Sequence, residues 1–119
     1  MTQEKRELSC NQRKHANLMD REEQQKAGEL EALGFDYVKP HTFTNQVEGY
    51  WRLQFSWGGP SDELRGYVNE HKQIHRLEYW FMDWYDGSEV ILDKTCNPDL
   101  WQRMQYEINI HGESPLTNE

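Results

Sequence analysis

Apolar side chains are scarce in this 119-residue chain. Ala, Val, Ile, Leu, Met, Phe, Trp, Tyr and Cys together make up 35% of it, and its mean hydropathy is -1.07. No apolar run approaches the ~20 residues that span a bilayer, and no basic stretch leads into an apolar one as in a secretory signal. Two cysteines, Cys10 and Cys96, are too few and too far apart for a disulfide framework. A reducing cytoplasm is therefore the expected setting, the host's if the chain is phage-encoded. Basic residues are also short, 13 against 21 acids, for a formal charge of -8. The deficit is uneven, because residues 1–47 carry a net -1 and residues 48–119 a net -7. Such a field opposes direct contact with DNA, RNA or anionic lipid and favours a partner with a basic surface.

Aromatic rings offset the shortage of aliphatics. Five Trp, six Tyr and four Phe each remove a large area from water on burial, enough for one core in one domain. Residues 1–17 are nearly all polar and read as a disordered segment or frayed helix, followed by a single domain over 18–110 and a polar tail over 111–119. Asp20 with Glu23 resembles a capping box, and Ala27, Leu30 and Leu33 recur every three residues before Gly34. That pattern predicts a helix from about Asp20 to Leu33. Phe35 and Tyr37 ahead of Lys39-Pro40 predict a short edge strand.

Trp51, Leu53, Phe55 and Trp57 alternate with Arg52, Gln54 and Ser56, the period of a half-buried strand whose dry face holds both tryptophans. The run from Gly58 to Asp62 signals a turn, and a second strand is predicted from about Glu63 to Val68. A third follows over about Gln73 to Tyr85, with Leu77, Tyr79 and Phe81 on one face and Arg76, Glu78, Trp80, Met82 and Trp84 on the other. Its second half is apolar on both faces, so the Trp80 face either receives a helix or forms an exposed patch. Asp86-Gly87 predicts a hairpin turn, with a return strand over Glu89 to Leu92. Asn97-Pro98 opens a last helix to about Asn109. The expected fold is α+β: an antiparallel meander of four to five strands with an N-terminal and a C-terminal helix.

No spacing of residues specifies a cofactor or a catalytic centre, and none is expected. His71 and His75 flank a turn into a strand, where they would stand roughly 13 Å apart, without a third ligand. The glycine-rich turn lacks the lysine and following helix of a phosphate loop. Acids crowd the third hairpin: Glu78, Asp83, Asp86, Glu89, Asp93 and Asp99, with Lys94 the only base. Most suit turns, strand ends or a helix start. Asp83 lies inside an aromatic run and either bonds the adjacent turn or faces a partner.

The segments from Tyr50 to Glu63 and from Glu78 to Gly87 resemble small phage and plasmid proteins that have no assigned activity. That resemblance implies a mobile-element setting, where small acidic proteins often inhibit host defence, as anti-CRISPR and anti-restriction proteins do. The functional expectation follows from it: a non-enzymatic acidic protein that occupies a basic nucleic-acid-binding surface of a host nuclease complex. Glu78, Asp83, Asp86, Glu89 and Asp93 would supply charge, with Trp84 and Tyr85 as anchors. The alternatives are a metal-dependent hydrolase using Asp83, Asp86 and His75, or a homodimeric or larger module built on Trp80 and Trp84.

Overall fold

A computed structural model describes residues 10–57, 61–83 and 86–112. Helix α1 (Cys10–Lys26) leads into five strands, β1 (Gly34–Val38), β2 (Tyr50–Ser56), β3 (Ser61–Val68), β4 (Ile74–Asp83) and β5 (Asp86–Leu92), and helix α2 (Pro98–His111) closes the order. The strands pair in chain order, each antiparallel to the next. This is the α+β meander expected from the alternation of rings and polar residues.

Both helices pack on one face of the sheet. Leu18, Leu30, Leu100, Met104 and Ile108 meet Trp51, Leu53, Phe55, Leu64, Leu77, Tyr79, Phe81 and Leu92 there. In the middle of β3, a Cβ on Gly66 would stand 3.2 Å from the Met104 side chain and 3.6 Å from Ile108. A side chain at this position would press on Met104, so glycine lets α2 lie close to the sheet without displacing it.

The first helix differs from expectation. Residues 10–17, expected in the polar N-terminal segment, form about half of it; residues 1–9 lie outside those described. It stops at Lys26. Gly28 takes a φ of 76°, and Gly28 N–H donates to Gln25 O while Glu29 N–H donates to Gln24 O. Those two bonds form a Schellman cap. Gly34, expected as the cap, instead starts β1, and Leu33 is exposed.

Two turn expectations are also corrected. Ser61 and Asp62 belong to β3, not to the turn before it. Asp83 pairs with Asp86, so residues 84 and 85, not Asp86-Gly87, separate β4 from β5; those two lie outside the described residues. Trp57 is 60% exposed and not core. A bulge between Gln54 and Ser56 shifts the alternation, and Ser56 turns to the helix side, where its hydroxyl lies 2.5 Å from Asp62.

Candidate functional site

The second face of the sheet receives no helix among the described residues. Strand alternation and register place Asp36, Val38, Tyr50, Arg52, Glu63, Arg65, Tyr67, Arg76, Glu78, Trp80, Met82, Glu89 and Ile91 on it. Cross-strand neighbours bring rings and guanidinium groups together. The Arg65 guanidinium lies 3.9 Å from the Trp80 ring centroid and 4.8 Å from that of Tyr50. Arg76 lies 3.9 Å from the Tyr67 ring. Stacking of this kind is worth about 0.5–2 kcal/mol per pair and holds each guanidinium flat.

Carboxylates fix the other edges of these cations. Arg65 Nε donates to Glu63 at 2.6 Å, and Arg52 meets Asp36 through Nε and one Nη at 3.0 and 2.7 Å. Arg76 reaches Glu48 at 2.8 Å and Glu78 at 3.2 Å. Glu78 also accepts the Trp80 indole N–H at 2.9 Å. The result is a pre-ordered lattice with arginine and aromatic side chains in the middle and the more exposed carboxylates of Asp36, Glu48 and Glu89 around them.

A groove of about 450 Å³ runs over this lattice, bounded by Tyr50, Arg65, Tyr67, Trp80 and Met82 and by residues 43–46 of the β1–β2 connection. Gln46 holds that connection in place, donating to Lys39 O and Glu48 O and accepting from Phe43 N–H. At the floor, the Tyr50 hydroxyl is buried and has no hydrogen-bond partner among the described residues. Burial raises its pKa, with Arg65 and Arg52 pulling it down and Glu63 and Tyr67 pushing it up. It therefore stays a phenol and a donor at neutral pH. An unmet buried hydroxyl costs on the order of 1–3 kcal/mol, which an acceptor brought by a ligand would relieve.

The acidic candidates whose side chains are described, Glu78, Glu89 and Asp93, differ in setting. Glu78 is mostly covered and engaged by Arg76 and Trp80. Asp93 is exposed but serves its own turn, accepting Thr95 N–H at 2.7 Å. Glu89 is exposed on the open face. The side chains of Asp83 and Asp86, and residues Trp84 and Tyr85, lie outside what the structure describes. His71 and His75 are exposed, and no three His, Cys, Asp or Glu among the described residues come together to hold a metal ion. No described helix is long and apolar enough to cross a membrane.

Sequence reasoning missed Tyr50, Arg65 and Tyr67. Their signal was present as the polar half of the strand alternation, where arginine facing rings on the neighbouring strand marks a stacked lattice rather than a merely solvated face. No protein-family model matches this chain, and no curated protein or solved structure is significantly similar to it.

Proposed function

We propose that this chain is a non-catalytic protein-binding module whose recognition surface is the open face of the sheet. The observation that carries this reading is the lattice of Tyr50, Arg65, Tyr67, Arg76 and Trp80, ordered in advance on the face that no described helix covers: Tyr50 and Tyr67 are buried in a small cluster with Val38, and Arg65, Arg76 and Trp80 lie half-buried above it. Trp, Tyr and Arg dominate binding hot spots, and side chains already held in place lose little entropy on binding. The exposed acids around them favour a basic partner. In the phage or plasmid setting implied by the resemblance, occupation of a host nuclease complex would make the module an inhibitor.

The test is interferometry of the full chain against immobilised CRISPR and restriction effectors, comparing wild type with Trp80→Ala and with Asp93→Lys on the far turn. Trp80→Ala is expected to weaken capture at least tenfold while Asp93→Lys leaves it nearly unchanged. Equal binding by wild type and Trp80→Ala would remove the open face from the interface.

A further inference from the structure

We propose that the groove over Tyr50 and Arg65 captures the free C-terminal carboxylate of a polypeptide that ends in an apolar residue. The inference rests on the reading of the open face as the recognition surface and adds the chemistry of what is recognised.

Some arginine and tyrosine donors that line this groove lack acceptors among the described residues. Arg65 commits Nε to Glu63, and its two Nη groups make no hydrogen bond among the described residues. Arg52 gives Nε and one Nη to Asp36 and keeps the other. The Tyr50 hydroxyl has no acceptor among the described residues. Two arginines line the groove, each matched by one bonded carboxylate (Asp36 for Arg52, Glu63 for Arg65), so the site is close to neutral within a chain of -8 and its guanidinium groups keep donors to spare. A planar carboxylate matches a guanidinium fork with two free donors, and such charge-assisted bonds are the strong ones. Phe43, Tyr67, Trp80 and Met82 provide an apolar wall beside those donors, suited to a side chain carried by the same residue. The volume of about 450 Å³ admits one or two residues, not a long segment.

Charge complementarity favours a chain terminus over a free acid. The carboxylates of Glu48, Asp36 and Glu89 are exposed around the lattice, where they would attract basic residues preceding the terminus. A free acid has nothing to offer them.

The experiment titrates the isotope-labelled full chain with a tetrapeptide of two lysines, an alanine and a C-terminal phenylalanine, as free acid and as amide, and with 3-phenylpropionate. The free acid is expected to shift the resonances of Tyr50, Arg65 and the Trp80 indole N–H, and to bind about tenfold or more tightly than the amide. Arg65→Gln should abolish that preference, and Arg65→Lys, which keeps the charge without the fork, should restore part of it. Tyr50→Phe should weaken the acid severalfold without lowering the melting temperature of the free protein, which separates a ligand contact from a structural one. Equal binding of acid and amide with shifts at Tyr50, Arg65 and Trp80 overturns the carboxylate inference and leaves the recognition surface standing. Binding of 3-phenylpropionate as tight as that of the peptide acid overturns the polypeptide as occupant. Shifts confined to the helix side, or none, overturn both readings.

Discussion

Asp62 is 1% exposed and accepts hydrogen bonds from four side chains. Arg21 donates through Nε and one Nη at 2.8 and 3.1 Å, Asn17 at 2.8 Å, the Tyr79 hydroxyl at 2.6 Å and the Ser56 hydroxyl at 2.5 Å. Three of these residues reach it from strands or a helix distant in sequence, so this one carboxylate joins α1, β2, β3 and β4. Burial, with the neighbouring Asp62 carboxylate next, pushes the Tyr79 hydroxyl far above the usual phenol range, so it remains a donor at any physiological pH. Asp62→Ala would leave Arg21 without its ion-pair partner, and breaking a buried pair by removing one member costs about 3 kcal/mol or more. Urea unfolding should show a lowered midpoint at unchanged slope, and a loss below about 1 kcal/mol would mean that Asp62 does not secure α1. The sequence placed Asp62 in a turn because it follows Gly58, Gly59, Pro60 and Ser61. Turn chemistry and burial use the same residue type, and only the register with β4 separates them.

Helix α1 shows why an element can be legible in kind and wrong in place. Its buried side chains include Lys14 and Leu18, and Asn17 and Arg21 point the same way toward Asp62. Lys14 donates to Glu89 O at 3.0 Å. A helix docked through polar groups has no apolar stripe to detect, and the stripe that was detected, Ala27, Leu30 and Leu33, lies past its last residue, Lys26. Helix α2, with buried Leu100, Met104 and Ile108, was legible because it docks through aliphatics. The two helices meet at Glu22. Burial raises its carboxyl pKa above 4.5, against the Leu100 backbone N–H and the Asn97 side chain, which lower it, while Asp99 adds to the rise; one of its oxygens is buried without a partner. A folded-state pKa above the unfolded one means that the native state holds the proton more tightly. The stability this group contributes is therefore present at acid pH and lost as pH climbs from about 4.5 through the raised value. Glu22→Gln keeps an acceptor for Leu100 and removes the charge. It should be more stable than wild type at pH 7, with the difference shrinking toward pH 4; a difference constant across that range would place the raised pKa elsewhere.

At the scale of the whole molecule, the sheet has two unlike faces. The helix-covered face follows from hydrophobic alternation, and Leu53, Phe55, Leu77 and Tyr79 all proved buried where the period of two put them. The second face was left between a missing helix and a sticky patch, because Trp80 and Met82 read as apolar surface in need of cover. No described helix covers it; Arg65, from the strand next door, lies on the Trp80 ring, and Tyr67 takes Arg76 in the same way. Arginine in place of a helix leaves the rings shielded yet available, since a guanidinium stacked at the surface is displaced or shared at small cost. This arrangement divides the work of binding between the middle and the edge of the face. Exposed carboxylates such as Glu89 act at a distance and set the rate of encounter with a basic partner, whereas Trp80 and Arg65 act only after contact. Glu89→Lys should therefore slow association and flatten its dependence on salt, with dissociation changed little. Trp80→Ala should speed dissociation about tenfold or more and leave the salt slope of association as it was. Stopped-flow measurement of both rates between low and physiological salt distinguishes the two effects. If Glu89→Lys instead changes only dissociation, the acidic edge is part of the contact itself and the steering role assigned to the -8 charge falls away.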